Sequence, residues 1–491
     1  MHQRPDEPPP LQVLIIGTGF AGLGLAIRLR QAGIEDFLLL EKAHALGGTW
    51  RDNRYPGAAC DVPSHLYCFS FEPKADWSRT YAPQAEILAY LQHCADKYGV
   101  SAHIRFGAEV EAARFDASTG LWQVSCGNGQ VLHARALVSA CGQLNRPAYP
   151  LIEGQQRFQG ETFHSACWNP DYDLRGKRVA VIGSGASAVQ FVPQIVPQVA
   201  GLLLFQRSAP YVIAKPDRAY RPWEQRLLRR CPGLLRLDRG LKYLQHEVRA
   251  LAFIAFPRLM ALYIGRFRRH LARAVSDPAL RRQLTPDYPL GCKRILISND
   301  YYPALTQAQV RVVSQPIQRL TEQAVVTGDG EVHQVDAIIY ASGFAATDFL
   351  APMRINGLAG RELNQAWREG AEAYKGISVS GFPNLFLLYG PNTNLGHNSI
   401  VYMLESQFAY VLGCLDWLRQ PGLRYLDVKL AVQQRYNQSL QQRLRRSVWE
   451  QGCSSWYKLA SGKHTNNWPD FTFVYRKQTR APEPNDYDLI R

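Results

Sequence analysis

Two short apolar runs in this chain each end in a glycine-rich loop and pass at once into a helical pattern. The first run, Leu11–Ile16, reads as a buried strand. It feeds into Gly17, Thr18, Gly19, Phe20, Ala21 and Gly22, a helix expected over residues 23–31, and a stop signal at Gly33. A second strand is expected over Phe37–Leu40, with Glu41 at its end. Gly17 permits the tight turn, Gly19 lets a pyrophosphate approach the backbone, and Gly22 lets the helix pack on the strand. The helix N-terminus offers unpaired N–H groups and a partial positive charge to phosphates. Glu41 stands where a carboxylate accepts hydrogen bonds from ribose hydroxyls. Strand, glycines, helix, strand and acid in that order make a dinucleotide-binding unit.

The pattern recurs. Residues 177–182 read as a strand, followed by Gly183, Ser184, Gly185, Ala186, Ser187 and Ala188, a helix from Val189, and a strand over 202–205. Ala188 replaces the third glycine, where only a small residue is needed. At the end of this second strand stand Gln206 and Arg207 in place of an acid. A carboxylate there repels a 2′-phosphate, whereas arginine pairs with it bidentately. The second unit is therefore expected to take NADPH, with Ser208 adding a hydroxyl. Two such units in one chain point to a flavin reduced by a nicotinamide, with FAD in the N-terminal unit. A further strand over 337–341 runs into Ser342, Gly343 and Phe344, closing the second unit and returning the chain to the first.

The expected fold class is α/β: two Rossmann-like, doubly wound dinucleotide-binding domains with a helical insertion. The division read from the sequence is a flexible tail at 1–10 and a first part of the FAD domain at 11–146. An NADPH domain follows at 147–350, with an insertion at about 217–288, then the second part of the FAD domain at 351–491.

Composition narrows the function classes. The 491 residues are 46% hydrophobic and 20% charged, as in an ordinary globular protein. The net charge of +15 suits nucleic acid, a membrane surface or an anionic cofactor. With no zinc-ligand spacing and no nucleic-acid module, no nucleic-acid partner is expected. The ten cysteines form no Cys-x-x-Cys pair, which favours scattered reduced thiols over a disulfide framework. Cys60 stands alone where a disulfide reductase would carry a redox pair. Residues 1–10 have no apolar leader core. The most apolar stretch, 250–264, is broken by Pro257 and Arg258. A cytoplasmic location is the expectation.

Residues 217–288 alternate arginines with apolar clusters such as Leu227 and Leu228, Leu234 and Leu235, and 251–256. Arg266, Arg268 and Arg269 form a tight basic group. This reads as a helical insertion that walls off the substrate pocket and helps bind the anionic cofactor. The alternative is an amphipathic basic face resting peripherally on a membrane.

Gly47, Gly48, Thr49 and Trp50, then Tyr55, Pro56, Gly57 and Asp61, resemble the active-site signature of the Baeyer–Villiger monooxygenases. Phe158, Gly160, His164 and Trp168 are similar to that family's fingerprint, with Asn169 where the family usually has Pro or Asp. The segment from Tyr389 through Gly390, Asn392, Asn394 and Gly396 to His397 and Asn398 resembles the branch that oxidises aryl and alkyl ketones. Ser454, Ser455, Trp456 and Tyr457 resemble a segment that closes over the nicotinamide.

The resemblance implies a monooxygenase that spends NADPH and O2 to insert one oxygen atom beside a ketone carbonyl, through a peroxyflavin, giving an ester or lactone. It implies catalytic roles for Arg294, a fixed cation beside the peroxide, and for Asp61, which holds Arg294. It places Phe20, Gly48, Thr49, Trp50, Tyr67 and Val110 with the glycine loop and Glu41 on FAD. It places Gln190, Arg207, Ser208 and Lys293 with Gly183 to Ser187 on NADPH. His164 and Trp168 are implied to couple the two domains. Structural alternatives stand beside these roles: Asp61 as a cap, Arg294 as an ion-pair partner, Trp456 as core. The functional alternatives are N- or S-oxygenation and a non-catalytic nucleotide-binding scaffold. No particular ketone and no oligomeric state is assigned.

Overall fold

The computed structural model describes residues 9–450, 452, 458–459 and 461–491. Most of the expected tail and all of Ser454 to Tyr457 lie outside the described residues. The chain is α/β, built on two separate nucleotide-binding sheets. In the first, Leu11–Ile16 lies parallel between Phe37–Leu40 and Val131–Ser139, with Ile15 paired to both Leu39 and Val138. Neighbours on both sides and cover on both faces explain why this strand reads as a continuous apolar run. The eight-stranded sheet runs Arg354–Asn356, Val110–Asp116, Leu121–Cys126, Val131–Ser139, Leu11–Ile16, Phe37–Leu40, Ile104–Arg105. Leu385–Leu387 also pairs with Val131–Ser139. Two strands from beyond residue 350 thus join the sheet that begins the chain.

The second sheet has five parallel strands in the order Val310–Val313, Gly201–Phe205, Arg178–Ile182, Ala337–Tyr340, Glu161–His164. Ala337–Tyr340 lies beside Arg178–Ile182, as a closing strand of the second unit should.

Both glycine loops fold alike. Gly17 and Gly183 have φ of +104° and +108°, a region open to glycine. A Cβ on Gly17 would lie 2.8 Å from the Ala140 carbonyl oxygen, and one on Gly183 2.4 Å from that of Ala341. The helices start directly after the second glycine of each loop, as Phe20–Gln31 capped by Gly19 and Ala186–Ile195 capped by Gly185. Both starts come three residues earlier than the sequence suggests, because the small residues that weaken the helical pattern are packed by the strand beneath. On the outer side, Gly24 admits the helix Ile400–Leu418: a Cβ there would lie 2.6 Å from the Phe408 ring.

The insertion is helical, with Pro222–Arg230, Pro232–Ala250, Met260–Ala274 and Pro278–Gln283. It braces distant parts of the chain. Asp238 Oδ2 lies 2.6 Å from His65 Nδ1, and Gln225 donates to the Trp77 carbonyl at 3.0 Å. The buried Glu247 accepts from Thr472 N at 2.6 Å, Thr472 Oγ1 at 2.8 Å and Asn398 Nδ2 at 2.6 Å. The expectation of scattered thiols holds with one exception. Eight described cysteines are free, but Cys292 is disulfide-bonded. Sequence spacing does not reveal a pairing made by the tertiary fold.

Glu247→Ala leaves these donors without an acceptor in a dry site. The expected loss is about 3 kcal/mol or more, since each unsatisfied buried group costs roughly 1–3 kcal/mol. Thermal denaturation of the variant beside the parent checks this; an unchanged midpoint would show that the brace is dispensable.

Candidate active site

A cleft of about 1640 Å³ separates the two sheets and is lined by both glycine loops. That exceeds the roughly 300–1,000 Å³ of a site for one drug-sized ligand. Gly17, Gly19, Phe20, Glu41, Gly48, Thr49, Trp50, Tyr67 and Val110 all line its first half. Gly48 has φ of +52°, and a Cβ on it would lie 3.2 Å from the Gly19 Cα. Two residues without side chains thus face each other and leave backbone open to a phosphate chain. Glu41 is buried and already oriented: it accepts from Thr18 N at 3.2 Å and Thr18 Oγ1 at 2.6 Å. Arg51 Nη1 lies 3.0 Å from its other oxygen, a partner the sequence reading missed. Trp50 Nε1 donates to the Tyr67 hydroxyl at 3.2 Å, and Phe20 packs edge-on against Tyr67. Burial drives the Tyr67 pKa well above the ordinary tyrosine value, so the hydroxyl stays protonated.

Gly183, Ser184, Gly185, Ala186, Ser187, Gln190, Arg207, Ser208 and Lys293 line the second half. Lys293 Nζ donates to Ser208 Oγ at 2.9 Å and sits 4.3 Å from the centre of the Tyr288 ring. Burial first, and the Arg207 charge second, lower the Lys293 pKa. No carboxylate forms an ion pair with Lys293 or Arg207 among the described residues. Two cations held together without an acid fit a phosphate.

Gln190 ties the halves together. Its Oε1 accepts from the Tyr55 hydroxyl at 2.9 Å, and its Nε2 donates to the Ala59 carbonyl at 2.9 Å. Burial pushes the Tyr55 pKa up to about 12. Two residues along the loop from Ala59, Asp61 Oδ2 accepts from Arg294 Nε at 2.9 Å and Nη2 at 2.5 Å. Arg294 is presented by the approach to Leu296–Ile297, which pairs parallel with Val212–Ile213. Asp61 and Arg294 are each about one-third exposed and line the cleft. Between these groups the Cys60 thiol is buried and its pKa is raised, so it carries no thiolate chemistry.

The loop bearing Tyr389 and Asn394 closes one side: the Tyr389 hydroxyl donates to Asn394 Oδ1 at 2.6 Å. Asn394, Leu395 and Asn398 line the cleft. His164 is buried directly behind the cleft wall, its ring against Tyr149 and Phe344, which both line the cleft where the chain passes between the sheets. Trp168 packs on Phe163 and Phe191. Asn169 Nδ2 donates to Glu161. The insertion departs from expectation. Of residues 217–288, Tyr288 alone lines the cleft among the described residues, so the helices do not wall it off.

Comparison with known proteins gives this geometry a family. Residues 14–233 match the family described as pyridine nucleotide-disulphide oxidoreductase. A Baeyer–Villiger monooxygenase of Pseudomonas aeruginosa is 49% identical over 480 residues, covering 97% of this chain and 91% of the relative. The chain belongs to the Baeyer–Villiger monooxygenase family. A solved oxidized steroid monooxygenase bound to NADP matches with a TM-score of 0.87 at 29% identity, covering 98% of this chain and 100% of the other. An OTEMO complex with FAD and NADP matches with a TM-score of 0.87 at 27% identity, covering 98% and 100%.

Like other Baeyer–Villiger monooxygenases, this flavoprotein monooxygenase uses FAD and NADPH. The two halves of the cleft fit them: a side-chain-free cradle with an acid at the strand end in one, a paired cation site in the other. No helix of the described residues is long and apolar enough to cross a membrane.

Arg207→Ala and Lys293→Ala should each raise the KM for NADPH about 10–100-fold, the worth of one charge-assisted hydrogen bond. The kcat/KM for NADH should change little. Steady-state oxidation of both nucleotides checks this; equal losses with both would remove the 2′-phosphate assignment.

Proposed function

We propose that Arg294 and Asp61 carry the oxygen-insertion chemistry of this Baeyer–Villiger monooxygenase, and that its substrate is an apolar ketone. The observation that carries the proposal is the Asp61–Arg294 pair, set in the cleft that both nucleotide-binding units line. FAD, once reduced by NADPH, supplies the electrons that activate O2. The protein's own task is electrostatic. An oxygen nucleophile that attacks a carbonyl must stay anionic, and attack leaves an oxyanion on the substrate. A guanidinium suits both demands, because its pKa of roughly 12.5–13.8 keeps it charged throughout the working pH range. Preorganised donors of this kind are commonly worth about 2.7–4 kcal/mol to the transition state.

Asp61 holds one edge of the guanidinium and so fixes where its charge points. Gln190 fixes the loop that carries Asp61. Glu41 would accept from the FAD ribose, with Arg51 and Thr18 orienting it. Arg207, Ser208 and Lys293 would take the NADPH 2′-phosphate. Val62, Leu395, Ile400 and Leu404 give the cleft an apolar lining suited to the hydrocarbon part of a ketone. Tyr55 and Tyr67 stay neutral and so add no charge to compete with Arg294. A cytoplasmic setting accords with the eight free cysteines, the Cys292 bond being the exception.

Arg294→Ala should abolish ester formation, a loss of at least about 100-fold. Flavin reduction by NADPH should remain measurable in the same variant. Gas chromatography of products from a ketone panel under labelled O2, with stopped-flow absorbance for flavin reduction, reads the two separately. Ester at the parent yield from Arg294→Ala would remove this residue from the chemistry. Sulfoxide from a thioether with every ketone untouched, in the parent enzyme, would remove the ketone assignment.

A further inference from the structure

The inner face of Pro232–Ala250 is formed by Leu235, His246, Glu247 and Ala250, all buried. The outer face is not polar. Leu234, Leu237, Leu241, Leu244 and Val248 recur at spacings of three and four, which places them on one side of the helix. All five are exposed, the last four by more than half. The preceding helix, Pro222–Arg230, buries no residue. It exposes Trp223 and Leu227 one turn apart, with Arg226 and Arg230 around the same turns. After the long helix come Phe256, Leu259 and Leu262, again exposed. On Met260–Ala274, Leu262 shares a face with the exposed Arg266, Arg269 and Arg273. An unbroken stretch of the chain therefore offers solvent a leucine stripe bordered at both ends by arginines. A helix face that only meets water has no use for such a stripe.

Charge selects the occupant. Residues 217–288 hold sixteen Arg and Lys against six Asp and Glu, which accounts for ten of the chain's fifteen net positive charges. The acids are mostly engaged. Glu224 pairs with Arg218, Asp238 with Lys242 and His65, and Glu247 is buried. Arg226, Arg230, Arg266, Arg269 and Arg273 form no ion pair among the described residues. A second copy of this chain on the same face would bring like charges together. An anionic surface with an apolar layer beneath it satisfies both the arginines and the leucines.

We propose that the insertion docks the enzyme peripherally onto membranes that carry anionic lipids. Leu237, Leu241, Leu244, Val248 and Trp223 enter the boundary between headgroups and acyl chains, and the arginines meet lipid phosphates. The contact is peripheral, since no described helix is built to span the bilayer. The surface lies apart from the residues that line the cleft, so the proposal does not depend on the reaction.

The test is co-sedimentation of the FAD-loaded enzyme with vesicles of phosphatidylcholine plus phosphatidylglycerol, and of phosphatidylcholine alone, over a salt series. Binding is expected to the mixed vesicles and to weaken as salt rises. The double variant Leu237→Glu, Leu241→Glu should bind at least about tenfold more weakly, and so should Arg226→Glu, Arg230→Glu, each charge near the surface being worth about 1 kcal/mol. Both should keep the parent rate of NADPH oxidation, which reports that they fold. Absence of binding to the mixed vesicles overturns the proposal, as does equal binding to both vesicle types at all salt levels. So does a parent dimer, seen by sedimentation velocity without lipid, that the leucine substitutions abolish.

Discussion

Bare backbone lines the cleft at both glycine loops, and the turn that exposes it shapes both nucleotide-binding units. A strand must end, turn through a left-handed glycine, and start a helix within a few residues. At Gly17 and Gly183 the carbonyl of a neighbouring segment, Ala140 or Ala341, occupies the space where a Cβ would sit. The loop is thus pinned from behind by a backbone group, and the helix N-terminus faces the cleft. The units then diverge at the end of the second strand. Glu41 with Arg51 and Thr18 makes an oriented acceptor for hydroxyls, and Arg207 with Lys293 and Ser208 makes a cationic site.

The Asp61–Arg294 pair contributes little to holding these units together. Partly exposed ion pairs are worth roughly 0–1 kcal/mol. Its value is directional. Arg294 stays charged without help, but its long side chain has many rotamers, and two bonds to one carboxylate oxygen restrict them. The units are joined instead by the neutral bonds of Gln190, by the buried carboxylate of Glu247, which ties the insertion to Asn398 and Thr472, and by a hydrophobic cluster in which Leu395, Met403, Trp449 and Trp468 are packed with the second unit's core.

Features that depend on local spacing could be read from the sequence. The glycine loops, their strands, Glu41 and Arg207 lie within a few turns of one another, and the folded chain keeps them in that order. Features assembled across the chain could not. Asp61 and Arg294 are 233 residues apart and were joined only by family resemblance. Arg51 looks like a surface arginine until the loop folds it back on Glu41. Glu247, one acid in an arginine-rich helix, reads as solvated, yet it is among the most buried carboxylates of the chain. The alternating arginines and apolar clusters of the insertion read as a helical wall for the cleft. Its apolar residues divide instead: Leu235, Phe253, Met260, Phe267 and Leu271 pack inward, while the leucine stripe of Pro232–Ala250 faces outward, the inner side being engaged with His65 and Thr472.

Gly57 lies against the helix Ala186–Ile195 so closely that a Cβ on it would come within 2.8 Å of the Gln190 carbonyl oxygen. Main chain there rests almost directly on main chain, and Gln194 Cγ lies beside it at the same 2.8 Å from that Cβ position. Gly57 therefore works as a spacer of no thickness: any larger residue would have to wedge the loop that carries Asp61 away from this helix, because a backbone carbonyl cannot swing aside as a side-chain tip can.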